Sequence, residues 1–158
     1  MITYRKAVLS DANELARLRS IFLCEVTQSD SEALRAENER ANLAYFQKAL
    51  ADDSFAAWLA MDGDAIVGTS GVSFYISPPS FHCTDGRKAY IMNMYTLPAY
   101  RKRGIAAELF DRIVAEAVSR GYQQINLNAT TMGKPLYERY GFKDVIGDMT
   151  YFANGTRV

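Results

Sequence analysis

The sequence is poor in the residues that build disulfide scaffolds, metal centres and membrane anchors. Its 158 residues include two cysteines and one histidine, too few for a disulfide framework or a histidine and cysteine zinc site. No stretch approaches the roughly 18 apolar residues that span a membrane. The amino terminus reaches charged residues before any apolar run, so we expect no signal peptide. These absences predict a cytoplasmic protein that holds no metal.

The chain also lacks a net charge. Eighteen Lys and Arg residues balance eighteen Asp and Glu residues, so we expect neither nucleic acid nor an anionic membrane as a partner. Repeats, low-complexity tracts and linkers are missing as well. What is present, 49% hydrophobic residues over 158 positions, suits one compact core. We expect a single domain over residues 1–158.

Hydrophobic periodicity and turn residues predict strands and helices in a definite order. Asp11 and Glu14 have the spacing of a capping box, which starts the first helix there. The order predicts an α/β fold with a sheet of mixed direction and a right-handed parallel strand–helix–strand crossover. The predicted strands span 2–8, 54–61, 65–76, 89–97 and 123–129, with two more in the tail 142–158; the later helices span 31–50, 104–120 and 135–140.

The connection from strand 89–97 to helix 104–120 is the segment with most chemical information. Gly104 and Ala106 are small residues at a helix amino terminus, where free backbone N–H groups and the helix dipole favour a phosphate. Three cations, Arg101, Lys102 and Arg103, lie beside them. On spacing alone, a phosphate site and an ordinary basic turn are equally good interpretations. The segment is neither a Walker A loop nor a dinucleotide fingerprint.

Two motifs in order resemble those of one enzyme superfamily. The first, Arg101-x-x-Gly104-x-Ala106, resembles the Gln/Arg-x-x-Gly-x-Gly/Ala motif of the GNAT N-acetyltransferases. The second, Leu136-Tyr-Glu-Arg-Tyr-Gly-Phe142, resembles a segment common in the same superfamily. The resemblance covers nearly the whole chain and implies a GNAT-like fold: a mixed, mostly antiparallel sheet with a central parallel crossover, flanked by helices.

The resemblance also implies acetyl-CoA as the donor of an acetyl group. The pyrophosphate would bind backbone N–H groups of Arg101, Lys102, Arg103, Gly104, Ile105 and Ala106. Backbone groups of Met94, Tyr95 and Thr96 would meet the pantetheine arm and the thioester, with the N–H near Met94 stabilising the oxyanion. Asn128 would hydrogen-bond the pantetheine, and Lys102 or Arg103 would reach the outer phosphate.

Acetyl transfer also needs groups that move protons. The resemblance places Tyr137 as the general acid that protonates the leaving thiolate, since a phenol stays protonated at neutral pH. Packing is the alternative for Tyr137, and we expect packing for Tyr140. Strand 89–97 has no carboxylate, so the base is open between a water relay and a carboxylate from a helix, such as Glu25.

Two functions follow from these observations. The first is an acetyl-CoA-dependent N-acetyltransferase that acts on a primary amine of a small molecule or peptide. The alternative is an acyl-CoA-binding module with weak or no turnover. The resemblance implies an acceptor site shaped by residues 20–50 and 74–88. An edge strand near the carboxyl terminus offers a surface for a homodimer.

Overall fold

The computed structural model describes residues 1–145. They divide into two compact units, one spanning Met1–Asn128 and one that begins at Ala129. The strands are β1 (Ile2–Lys6), β2 (Phe55–Asp62), β3 (Ala65–Ile76), β4 (Arg87–Thr96) and β5 (Gln124–Leu127). The α-helices are α1 (Ala12–Thr27), α2 (Glu32–Ala51), α3 (Ile105–Ser119) and α4 (Lys134–Tyr140). Short 3₁₀ turns span Leu9–Asp11 and Pro98–Tyr100.

The first unit is built on one five-stranded sheet in the order β1-β2-β3-β4-β5. The first three neighbouring pairs are antiparallel, and β4 and β5 are parallel. Helix α3 connects this parallel pair, as the crossover connection requires. The predicted α/β fold with a mostly antiparallel sheet is confirmed.

Both faces of the sheet are covered by helices. On one face, α1 and α2 contribute Leu15 and Phe46 to a core that includes Phe55 and Leu59 of β2. The other face carries a cluster of Ala60, Val67, Ile105 and Leu109, which brings α3 onto the strands. This double burial explains why β2 is almost continuously apolar rather than alternating.

The first helix begins where predicted, but not by the predicted cap. Asp11 has φ −82° and ψ −4° and makes no side-chain cap hydrogen bond to α1. Its carboxylate turns back, because a 3₁₀ turn precedes the helix: it accepts the Val8 N–H at 2.8 Å and two bonds from Arg5 at 2.7 and 2.8 Å. Glu14 pairs with Arg17 instead. The capping-box prediction was therefore wrong, although Ser31 does cap α2 by accepting from the N–H of Leu34.

The remaining boundaries agree with the predictions to within a few residues. The connection between the predicted strands 65–76 and 89–97 ends earlier, because β4 begins at Arg87, which pairs with Ile76 of β3. Residues 142–145 carry no strand, and the rest of the predicted carboxyl-terminal strands, with the dimer edge expected there, lie outside the described residues. Within residues 1–145, no helix has the length and apolar character needed to cross a membrane.

Candidate functional site

The turn between β4 and α3 leaves a run of backbone N–H groups without acceptors. The Arg101 N–H donates to the Pro98 carbonyl at 3.3 Å, and the N–H of Glu108 donates to the Gly104 carbonyl at 3.2 Å. Between these two bonds, the N–H groups from Lys102 to Ala107 find no acceptor in the described part of the chain. We call this run the amide cradle. It holds more unsatisfied donors than a helix amino terminus alone supplies.

The backbone of the cradle has the conformation that gathers donors around an anion. Lys102 has φ +61° and Gly104 has φ +80°, and turns with such residues form concave surfaces lined by successive N–H groups. A Cβ at Gly104 would meet no atom within 4 Å, so the space in front of this residue is open. Ile105 is buried and anchors α3 behind the cradle. A diphosphate fits this arrangement of donors and open space.

The three cations of the turn have different environments. Arg101 is turned away from the cradle: its Nε donates to the Thr96 carbonyl at 3.0 Å, and its Nη2 lies 2.5 Å from Glu25 Oε1. The guanidinium of Arg103 stacks 5.1 Å from the ring centre of Tyr100. Lys102 is exposed. Arg101 therefore fixes the end of β4, whereas Lys102 and Arg103 are both exposed, Arg103 against the Tyr100 ring.

The edge of β4 that faces β5 is open at its carboxyl end. The parallel pairing stops at Ile91 and Leu127, whereas β4 continues to Thr96. Within residues 1–145, no strand pairs with this edge beyond Ile91. Its backbone groups can therefore bind an extended ligand as an added strand would. Asn128, expected to bind the pantetheine, lies exposed just past the end of β5.

A β-bulge interrupts β4 beside this open edge. Met92 pairs with Gly71 and Tyr95 pairs with Thr69, so two residues of β4 oppose one residue of β3 between them. One of the two, Asn93, is 3% exposed and has φ +56°, which is uncommon for a residue with a side chain. A bulge re-aims the groups that follow it. Here the following residue is Met94, whose N–H is the expected oxyanion donor.

The side chains of the expected strand residues serve packing and support. Met94 is half-buried against the cluster that anchors α3. Tyr95 is 6% exposed, and its hydroxyl donates to Glu25 Oε2 at 3.0 Å. Burial first, and then the hydrogen bond to Glu25, raises the pKa of the Tyr95 phenol. The side chains of Met94 and Tyr95 are thus engaged in packing and support, and the backbone contacts of these residues with a ligand stay a prediction.

Sequence reasoning missed one charged residue of this region. Arg19 on α1 donates from Nη1 to Asn93 Oδ1 at 2.5 Å, and burial lowers the pKa of its guanidinium. The available signal was helical spacing: Arg19 lies four residues after Leu15 and three before Phe22, on the apolar side of the predicted helix. A charge in an apolar stripe marks a position that needs a partner.

Tyr137 belongs to the second unit, which is described by itself. It lies in α4, is 8% exposed, and burial raises the pKa of its phenol above the ordinary value of 10.0. A Cβ at Gly133 would come within 3.0 Å of the Tyr137 ring, so this glycine gives the ring its place. Tyr140 is 43% exposed. The general-acid role of Tyr137 stays a prediction.

Neither histidine nor cysteine forms a second site in the described part of the chain. His82 is exposed, and Cys83 is buried with its sulfur 3.3 Å from the Arg87 carbonyl. Cys24 is half-buried on α1. No group of three or more acidic, histidine or cysteine side chains suited to a metal ion occurs among residues 1–145.

Comparisons with known proteins agree on one family. The model of the Acetyltransferase (GNAT) domain matches residues 25–158. A predicted acetyltransferase from Clostridium acetobutylicum, crystallised with acetyl-CoA, is 33% identical, with a TM-score of 0.88 over 100% of both chains. The thialysine N-epsilon-acetyltransferase of Mus musculus is 26% identical over 87% of this chain and 80% of its own. The uncharacterized N-acetyltransferase YsnE of Bacillus subtilis is 28% identical over 54% of each chain, so this match spans about half of that relative.

Proposed function

The chain belongs to the GNAT acetyltransferase family, and from that premise we propose that it transfers the acetyl group of acetyl-CoA to a primary amine of a small molecule or peptide. We further propose that residues 1–158 act as one domain. The observation that carries the proposal is the amide cradle. Its open N–H groups suit the diphosphate of CoA, and a related structure contains acetyl-CoA.

The open edge of β4 supports a place for the rest of the acetyl-CoA molecule. In the proposal, backbone groups of Met94, Tyr95 and Thr96 bind the pantetheine arm, and the Met94 N–H meets the charge that develops on the thioester oxygen. Asn128 adds a side-chain contact to the pantetheine. Cradle and strand edge are continuous along the chain, since only the turn 97–101 separates them.

Charge around the cradle supports a second set of contacts. Lys102 is exposed beside the free N–H groups, and Arg103 is held close to the same turn by Tyr100. In the proposal one of the two binds the outer phosphate of CoA as a point charge. Arg101 contributes to the turn through its backbone conformation, because its guanidinium already binds the Thr96 carbonyl and the Glu25 carboxylate.

The acceptor amine must lose a proton before it attacks. An amine with a pKa of about 10.4 is protonated at pH 7. Because its pKa lies about 3.4 units above that pH, removing the proton costs roughly 4.6 kcal/mol. Both carboxylate oxygens of Glu25 already accept hydrogen bonds, from Arg101 and Tyr95. We therefore assign the base to no side chain, and a water relay fits the open strand edge.

The leaving thiolate needs a proton donor, and we assign Tyr137 to this role. A CoA-like thiol has a pKa near 8.5. Burial raises the pKa of the Tyr137 phenol above its ordinary value of 10.0, so the proton is present at the start of the reaction. Its transfer to the weaker base, the thiolate, is uphill, and the proton released by the attacking amine restores the phenol. The support is the motif and the burial of the side chain.

Thiol release from acetyl-CoA tests the proposed function. The purified protein is mixed with acetyl-CoA and a panel of amines that includes lysine, thialysine, polyamines and short peptides, and free thiol is followed with a no-amine control. We expect thiol release that depends on at least one amine, with the acetylated amine found by mass spectrometry. Tight CoA binding without turnover on any amine would favour the acyl-CoA-binding module instead.

A further inference from the structure

The Arg19 guanidinium is a half-buried cation that uses one of its five donors. It lies on the side of α1 that faces β4, where Nη1 donates to Asn93 Oδ1. This is its one hydrogen bond in the described part of the chain. Burial is the main cause that lowers its pKa, so the protein destabilises this charge without neutralising it. The remaining N–H donors form the planar fork that suits carboxylates and phosphates.

No carboxylate of the described residues pairs with this cation. The residues that act on its charge are Tyr45 and Tyr90, and neither is an acidic residue that could form an ion pair. Arg17, two residues earlier on the same helix, shows the usual arrangement: it is more exposed and pairs with Glu14 at 2.8 Å. A charge that loses part of its hydration without gaining an ionic partner is costly. Such a charge is expected where a ligand supplies the partner.

Asn93 gives an independent sign that a hydrogen-bond acceptor is missing beside Arg19. A guanidinium can only donate, so the amide oxygen of Asn93 must face Arg19 and its Nδ2 must point away. That Nδ2 is fully buried and has no acceptor in the described chain. Arg19 and its partner Asn93 thus both carry donors without acceptors in the described part of the chain. The bulge immediately precedes Met94, where the proposed function places the acetyl group.

We propose that the acceptor amine carries an anionic group, a carboxylate or a phosphate, close to its amino group, and that Arg19 binds this anion. The inference rests on the proposed function, because it takes the acetyl group to lie beside Met94. It narrows the acceptor class from any primary amine to amino acids and amino-phosphates. Arg19 acts as a specificity-determining residue, and Asn93 holds its guanidinium in place.

Matched acceptor pairs test the inference directly. Each pair differs only in the anion: an α-amino acid and its amide, or 2-aminoethylphosphonate and ethanolamine. We expect kcat/KM for the anionic member to exceed that for the neutral member at least tenfold in the wild type. In Arg19→Gln the ratio should fall to near one, with the KM for acetyl-CoA unchanged, and Arg19→Lys should retain part of it. Arg17→Gln, on the same helix, is the matched control and should keep the wild-type ratio.

A binding measurement keeps the test independent of turnover and of the stability of the variants. The wild-type complex with CoA is melted in the presence of N-acetyl-amino acids, N-acetyl-2-aminoethylphosphonate and the corresponding neutral amides. We expect stabilisation by the anionic compounds alone. Whichever of the carboxylate and phosphonate compounds stabilises the complex more shows which of the two anions the site prefers. Equal effects of charged and neutral members in both assays would overturn the inference, while amine-dependent thiol release would still uphold the proposed function.

Discussion

The two ends of the candidate site differ in the groups they offer: backbone N–H groups at one end and side chains at the other. After residue 101 the protein offers backbone N–H groups from one continuous segment, and the side chains there point elsewhere or into solvent. Where β4 faces α1, the site consists of side chains from distant parts of the chain. Arg19 reaches Asn93 across 74 positions, and Glu25 reaches Tyr95 across 70.

This difference separates features that suit a ligand common to the family from features that suit the ligand of one member. A cradle of amides depends on backbone conformation and tolerates many side chains, so it suits a ligand shared by a whole family. A half-buried cation and a strained bulge depend on particular residues, and they suit a ligand that differs from member to member. We infer that the first region binds the donor and the second selects the acceptor.

The largest expected effect comes from filling the cradle. Gly104→Glu places a carboxylate where the diphosphate is proposed to bind, and like charges at such distances cost several kcal/mol. A cost of about 4 kcal/mol weakens binding about a thousandfold, so we expect the Kd of acetyl-CoA, measured by calorimetry, to rise by about that factor.

Gly63→Glu is the matched control for this substitution. Gly63 also has a positive φ, +59°, and open space at its Cβ position, so the backbone strain and the added charge are alike. It lies in the turn between β2 and β3 and should leave acetyl-CoA binding nearly unchanged. Equal losses in both variants would mean that strain or net charge, rather than the cradle, determines affinity.

Tyr137 tests whether one side chain outside both regions is needed for chemistry. Tyr137→Phe keeps the ring and removes the proton, so we expect kcat to fall about a hundredfold, the lower range for a general acid, with acetyl-CoA binding preserved. Because burial raises its pKa above 10.0, loss of this proton should lower the wild-type rate only above that pH.

The exposed Tyr140 provides the comparison for Tyr137. Tyr140→Phe removes the same hydroxyl from the same helix at a position that is 43% exposed, and we expect its kcat to stay within about twofold of the wild type. If the two variants have the same kcat, Tyr137 is a packing residue and the leaving thiolate takes its proton from water.

The cradle was predictable from sequence because its determinants are local. Gly104 and the helix that follows lie within a few residues, and helix amino termini always leave donors free. The mixed sheet was predictable for a similar reason, since strand and helix periods are read over short windows. The commitment of Arg101 to Glu25 was not, because it depends on α1 lying beside the end of β4.

The acceptor side shows what local patterns leave out. The bulge at Asn93 has no sequence signature, because the residue with positive φ is not glycine. The capping box at Asp11 failed because the carboxylate had a stronger donor in Arg5, on a neighbouring strand. At Asp11 the hydrogen bonds from Arg5 and from the Val8 N–H decided the outcome against the predicted cap.

Arg101 connects the two regions, and a smaller effect is expected from removing it. Arg101→Gln loses the ion pair with Glu25 and the bond to the Thr96 carbonyl. Both partners are about one third exposed, so solvent screens the pair and the loss of stability should be about 1 kcal/mol. We expect the KM for acetyl-CoA to rise about fivefold, because the strand end that precedes the cradle is loosened.

Arg17→Gln removes a comparable surface pair on α1 and serves as the control for Arg101. Chemical denaturation should show a similar small loss of stability in both variants, while the KM for acetyl-CoA should change only in Arg101→Gln. If the two variants have the same KM, the end of β4 does not position the cradle, and the two regions of the site act independently.

The smallest effect concerns Lys102, an exposed cation of the cradle. Lys102→Met should weaken acetyl-CoA binding about threefold at low salt, since an exposed charge is worth about 0.6 kcal/mol or less. At about 1 M salt the Debye length is about 3 Å, so the difference between variant and wild type should vanish while the wild type still binds. That residual binding would be the contribution of the amides, whose hydrogen bonds are direct and little screened. A wild type that loses all affinity in salt would instead assign the donor site to charged side chains, and the contrast between its two ends would fail.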